Sequence, residues 1–238
     1  MIQPKKIIGF FAILFMLNSA QAQEGEWIEV RDFETWSSVG ARMKLNKDWE
    51  FTLSEQLRLK NNSKTVDSYF TELEAQYSGF KGFEIGAGLR YIKENDNKGK
   101  IQGYETHFRY NLDLGYKHKL GDFRMGYRVR FQNKDELQVS QKQGDTAINK
   151  LRLKIGTEYN IKNWKLDPKV SLEMFNTLGK GFDKFRITAG TSYDFKKFGK
   201  VNLFYRMERE LMPKYIEYPK TTNIIGLSYV YTFKIKTK

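Results

Sequence analysis

The chain has 238 residues, 29% of them charged and 15% aromatic, carries a formal charge of +13 and contains no cysteine. The lack of cysteine excludes disulfides, thiolate chemistry and a lipoprotein-type lipid anchor. No apolar run approaches the roughly 20 residues that a membrane-spanning helix needs, so helical spans are excluded as well.

Residues 1–22 read as an export signal. Lys5 and Lys6 form its positive end, Ile7 to Leu17 its apolar stretch, and Ala20-Gln21-Ala22 a small-residue cleavage site. Residues 23–238 then make one mature domain of charge +11. In a cytoplasmic protein such basicity, combined with aromatics, suggests nucleic acid. Export argues against that partner and toward lipopolysaccharide phosphates or acidic solutes outside the cell.

Past the signal the dominant feature is a period of two, the mark of a strand with one oily and one wet face. Residues 36–45 place Val39, Ala41, Met43 and Leu45 opposite Arg42 and Lys44. In 49–60, WEFTLSEQLRLK, Trp49, Phe51, Leu53, Glu55, Leu57 and Leu59 share one face; Glu50, Thr52, Ser54, Gln56, Arg58 and Lys60 share the other. The weave returns in 69–79, 83–93, 104–120, 123–132, 148–161, 164–175, 184–195, 201–210 and 222–234, so eleven strands are readable. The connectors 46–48, 81–82, 121–122, 162–163 and 196–200 are short; those at 61–67, 94–103, 133–147, 176–183 and 211–221 are longer and polar. Gly121-Asp122 suits a type II′ hairpin turn, because glycine accepts the positive φ. Short turns at one end and longer loops at the other predict an outer-membrane barrel with its turns in the periplasm.

Two further patterns separate a barrel from a soluble sandwich. Trp49, Phe80, Phe83, Phe123, Trp164, Phe195 and Phe198 flank the turns, where an interfacial girdle belongs. Of twelve arginines, ten lie on the polar register of a strand: Arg42, Arg58, Arg90, Arg109, Arg124, Arg128, Arg130, Arg152, Arg186 and Arg206. A sandwich would scatter such charges between strands and loops. A sheet closed on itself, with lipid outside and a charged lumen inside, concentrates them. Closure is required, since an open edge would leave backbone groups unsatisfied in hydrocarbon at several kcal/mol each. Bacterial barrels usually have even strand numbers, and the chain before strand 36–45 should rise from the periplasm. Residues 25–34, GEWIEVRDFE, are the candidate for that extra strand. The expected fold is therefore an all-β, antiparallel up-and-down barrel of about twelve strands, with ten as the alternative.

Several stretches carry a family resemblance: DFETWSSVGARMKLNKDWEFTLSEQLRLKNN (32–62), LDPKVSLEMFN (166–176), FRITAGTSYDFKKFGKVNLFYRMERE (185–210) and NIIGLSYVYTFK (223–234). They resemble the Bacteroidota outer-membrane barrels grouped as domain of unknown function 2490. The resemblance implies an outer-membrane barrel and no established activity. Independently, Ile225, Leu227, Tyr229, Tyr231 and Phe233 alternate up to an aromatic near the end, the form that strands take when delivered to the barrel assembly machinery.

Catalytic signals are thin. His118 lies on the apolar register near a turn. His107 lies on the polar register beside Glu105 and Arg109; a histidine next to a carboxylate is a candidate general base. The His-x-Ser spacing of one barrel lipase family is absent at both, so a lipid hydrolase using His107 is the weakest of three readings. Glu94, Asp96 and Asn97 resemble part of a calcium loop without its terminal glutamate. No cofactor or metal is expected, and the chain reads as a monomer.

The lumen is the informative surface. Its register carries nineteen cations, counting Lys44, Lys60, Lys117, Lys119, Lys150, Lys154, Lys165, Lys169 and Lys184 with the ten arginines, against eleven acids. The expected central cluster is Arg58, Glu72, Glu74, Arg90, Glu105, His107, Arg109, Arg128, Arg130, Arg152, Glu173, Arg186, Arg206 and Glu208. Near pairing of the charges favours an interior plugged by salt bridges. The alternative is a narrow, anion-preferring, porin-like pore for acidic solutes or oligosaccharides. Two residues break the pattern. Glu55 sits on the lipid register, where a β-bulge is expected to turn it inward, and Pro168 should pair irregularly because it has no N–H to donate.

Overall fold

The structure is a computed structural model that describes residues 29–96, 103–139, 147–161, 165–211 and 218–234. The expected export signal and Trp164 lie outside the described residues. Eleven strands follow one another: β1 (Val30–Lys44), β2 (Trp49–Lys60), β3 (Thr65–Phe80), β4 (Phe83–Asp96), β5 (Gly103–Leu120), β6 (Phe123–Glu136), β7 (Ile148–Tyr159), β8 (Asp167–Thr177), β9 (Gly181–Asp194), β10 (Lys200–Glu210) and β11 (Lys220–Lys234). Each pairs with its sequence neighbours, and β1 meets β11 to close the barrel.

The count is one fewer than twelve. Residues 30–34, expected at the end of a separate strand, run on without a break as the start of β1. An odd number of up-and-down strands makes the first and last run the same way. Their seam is accordingly parallel, from Val30 opposite Lys220 to Lys44 opposite Lys234, while every other pair is antiparallel. The start of β1 thus lies at the loop end, not at the turn end from which a rising chain was expected. Parallel ladders are slightly weaker per residue, and side chains reinforce this one at the loop end. Lys220 Nζ lies 3.0 Å from Asp32 Oδ2 and 3.6 Å from Glu34 Oε1, and Thr221 hydrogen-bonds Glu29.

Alternation sorts the side chains as expected. Val39, Leu53, Leu73, Leu89, Leu112, Leu114, Leu203 and Leu227 all face outward and are exposed; Glu72, Arg90, Arg109, Arg130, Arg152, Glu173 and Glu208 face inward and are buried. Among the described residues the barrel wall is apolar outside and ionic inside.

The strands run further toward the loop end than their alternation suggests. The connectors expected at 61–67 and 176–183 shrink to residues 61–64 and 178–180. Past the apolar belt the strict alternation of apolar and polar residues lapses, so the ladder continues where the pattern has faded. In the 61–64 connector, Asn61, Asn62 and Ser63 all take left-handed φ, at 56°, 56° and 61°, which is costly for non-glycine residues. Asp32 offsets that cost by accepting the N–H groups of Asn61 and Asn62 at 3.2 and 2.9 Å, and the Phe33 carbonyl accepts that of Ser63 at 3.0 Å. Gly121 has φ +60° and Asp122 does not follow it into positive φ, as a type II′ turn requires.

Glu55 corrects one expectation. No bulge turns it inward: it pairs in register with Thr71, remains exposed on the outer face, and accepts a 2.5 Å hydrogen bond from the Thr71 hydroxyl. The register shift between β2 and β3 falls later, between Arg58 and Leu59. A local hydroxyl donor, rather than a change of face, accommodates the carboxylate. Pro168 keeps a partner on β9 in Thr191, but β7 pairs with β8 only as far as Lys169.

Candidate functional site

Every second side chain of eleven strands enters one narrow interior, so ionic groups from distant strands meet there. On the β3–β6 wall the ladder sets Glu72, Arg90 and Arg109 in one row. The Glu72 carboxylate accepts from Arg90 Nε and Nη2 at 3.1 and 2.6 Å and from Arg109 Nη2 at 2.8 Å. Arg130 grips Asp113 with both arms of its fork, each at 2.6 Å, and reaches Glu74 at 3.3 Å. Bidentate guanidinium–carboxylate contacts are among the stronger hydrogen bonds available to a protein.

The facing wall is organised around fewer acids. Glu173 on β8 accepts from Arg128, Arg152 and Arg186 at 2.9, 2.9 and 3.1 Å. Glu208 on β10 lies 2.6 Å from Arg186 and 3.2 Å from Lys184. Toward the middle of this wall Arg58, Lys154 and Arg206 make no ion pair among the described residues. Arg58 rests instead on aromatic faces, 3.7 Å from the centre of the Trp36 ring and 4.9 Å from Phe70. Arg206 stands 4.9 Å from the same Trp36 ring and 4.6 Å from Phe204, and its Nε donates to Thr188 Oγ1 at 3.0 Å. Cation–π contact holds a guanidinium in place without neutralising it.

Among the described residues the lumen holds two sizeable cavities. One of about 520 Å³ lies toward the turns and one of about 650 Å³ toward the loops. Six residues line both and form the waist between them: Glu74, Arg128, Arg130, Lys154, Phe204 and Arg206. Four of the six are cations and one is an acid. Arg128 keeps 28% of its side chain exposed there. Phe204 owes its position to glycine. It pairs with Gly190 on one side and Gly226 on the other, and a Cβ on Gly226 would stand 1.9 Å from its ring.

Each residue expected in the central cluster faces the lumen, but they do not form one group. Glu105 and His107 sit apart near the loop end. His107 Nε2 lies 3.1 Å from Glu105 and 3.9 Å from Glu94, whose carboxylate also pairs with Lys134. No described serine hydrogen-bonds the ring; its neighbours are two carboxylates. Among the described residues no group of His, Asp and Glu is disposed to hold a metal, and Asn97 lies outside them. His118 stacks between Tyr116 and Tyr127 on the outer face, with centroids 5.7 and 5.8 Å apart. Of the aromatics expected at the turns, Trp49, Phe80, Phe83, Phe123, Phe195 and Phe198 are exposed beside them. Phe83 packs on Tyr116 and Phe123 on Tyr159, both at 4.8 Å.

Sequence reasoning passed over the inward aromatics Trp36, Phe70, Phe175 and Phe204, and it did not place Lys154 in the cluster. The signal was present: each aromatic stands on the polar register of its strand. A large ring on the wet face of a barrel strand has no solvent to avoid and must pack against lumen groups, here mostly guanidinium planes.

Nothing among curated proteins matches the chain, and no solved structure does so either. A family model described as protein of unknown function (DUF2490) matches residues 33–215. That match runs from the loop end of β1 through β10, and so includes nearly all of the lumen just described. The chain belongs to this family, whose function is unknown.

Proposed function

We propose that this protein is an outer-membrane β-barrel whose lumen is a narrow passage for small anions. Its location is supported by the outward belt of leucine, tyrosine and phenylalanine, which would be costly in water and is matched to hydrocarbon, and by the exposed aromatics beside the turns. Lipopolysaccharide on the loop side and the assembly machinery that inserts such barrels are the partners this location brings. The observation that carries the passage is the waist: two cavities meet at six residues of which four are cations. Rings of Arg and Lys lower the barrier for anions and raise it for cations.

The salt bridges form the walls of this passage. Fully paired, they would neutralise the lumen and close it, and the triple bonding at Glu173 favours that silent reading. Planar-bilayer recording on the purified protein separates the two. A passage gives single-channel steps whose reversal potential in a salt gradient shifts toward the anion, and the Arg128→Gln, Arg130→Gln double variant reduces that selectivity. A barrel that conducts nothing at any voltage overturns the passage.

A further inference from the structure

We infer that the loop-side cavity holds a binding site for a tetrahedral oxyanion of two or more charges, of the phosphate-ester or sulfate type, formed by Arg58, Lys154 and Arg206. The inference deepens the anion-passage reading by naming the solute class, and rests on it for how that solute enters.

The site stands out against its neighbours. The buried guanidiniums of Arg90, Arg109, Arg130, Arg152 and Arg186 each lie 2.6–3.1 Å from at least one carboxylate oxygen. Of the three cations proposed, all lining the same cavity, Arg58 and Arg206 have aromatic rings or a threonine hydroxyl where the others have acids, and Lys154 makes no ion pair among the described residues. The Nε of Arg58 is buried without an acceptor, as are those of Arg109, Arg128, Arg152 and Arg186, but among the described residues Arg58 alone of these five also has no carboxylate on its other nitrogens. An unpaired charge withdrawn from water costs several kcal/mol, and a barrel holding eleven lumen acids had the means to neutralise all three. Trp36 fixes the arrangement by carrying Arg58 and Arg206 on one ring, so both guanidinium groups are oriented before anything binds.

The geometry selects the ligand. A planar carboxylate presents two oxygens in one plane and suits a single guanidinium fork. Three cations arriving from β2, β7 and β10 approach from different directions, which suits the oxygens of a tetrahedral anion. Chloride can accept from more than one donor but carries a single charge, so it leaves two of the three cations uncompensated. A dianion compensates most of the local charge, and the remaining positive charge draws it inward from the loop end.

The test is calorimetry and thermal unfolding of the detergent-purified full chain with inorganic phosphate, sulfate, succinate and chloride at matched ionic strength. Phosphate and sulfate are expected to bind saturably and raise the unfolding temperature, with succinate and chloride at least tenfold weaker. Lys154→Met and Arg206→Met should each weaken phosphate binding tenfold or more, while Lys117→Gln, at the turn end, leaves it unchanged. Because each variant removes an unpaired buried charge, both should fold and unfold no earlier than the parent in phosphate-free buffer. Phosphate binding no tighter than chloride binding, or undiminished in both variants, overturns the site. The readout is independent of conductance: a silent barrel that still binds phosphate refutes the passage and supports the site. A conducting barrel without anion preference by calorimetry refutes the site alone.

Discussion

The two walls of the lumen are built from the same residue types and behave differently. On the β3–β6 wall, Glu72, Glu74 and Asp113 face Arg90, Arg109 and Arg130, acid for base, in contacts of 2.6–3.3 Å. On the wall formed by β1–β2 and β7–β10, Glu173 and Glu208 take Arg152, Lys184 and Arg186, with Arg128 reaching over from β6, and Glu34 takes Lys220, while Arg58, Lys154 and Arg206 pair with no acid among the described residues. One wall is therefore a closed electrostatic unit that holds strands together. The other has unspent positive charge facing a cavity. Composition alone does not make an anion site; the distribution of a few carboxylates between two walls does.

Removing one acid from each wall gives the largest contrast. Glu173→Gln strips the carboxylate from Arg128 and Arg152 on the wall already rich in cations and should cost about 3–5 kcal/mol, the range for breaking a buried pair. Glu72→Gln leaves Arg90 and Arg109 without an acid, but on a neutral wall, and should cost less. Urea unfolding in detergent followed by circular dichroism reads both; equal losses would mean that the excess charge on the second wall is not felt. Next in size is Gly226→Ala. Its Cβ would enter the Phe204 ring, forcing the waist to repack at about 1–3 kcal/mol and changing conductance, whereas Gly126→Ala, with only Lys117 nearby at 3.8 Å, should do neither. Lys220→Met removes the cation bound by Asp32 and Glu34 and should loosen the β1–β11 seam by about 1–3 kcal/mol, read as faster amide exchange at Val30–Glu34. The smallest effect lies outside the lumen. On the outer-membrane reading proposed above, Glu55→Leu should stabilise the barrel in lipid by less than the ~2–4 kcal/mol that lysine or arginine costs at the midplane, and a loss of stability would show that Glu55 does not face lipid.

Much of this was legible in the chain. Period-two alternation located ten strands within a few residues, and the concentration of arginine on one register placed the charged face inward. Glu55 and the first strand were misjudged for a shared reason. Both were fitted to a general rule, that lipid faces exclude carboxylates and that strand numbers are even. Here a neighbouring hydroxyl and a parallel seam make the exceptions tolerable. The loop ends were misread because alternation lapses there, although the backbone ladder continues.

Sequence by itself determined the fold class and which side chains face in, because a strand's geometry converts every second position into one face. It also set how many ions the interior must accommodate. Only the closed tertiary structure decided which ions meet. Glu173 gathers Arg128, Arg152 and Arg186 from residues 13 to 45 positions away, and Arg58 shares the Trp36 ring with Arg206 from the far end of the chain. Those meetings depend on strand tilt and on how the barrel closes, which alternation does not encode, and they separate the neutral wall from the one that can hold an anion.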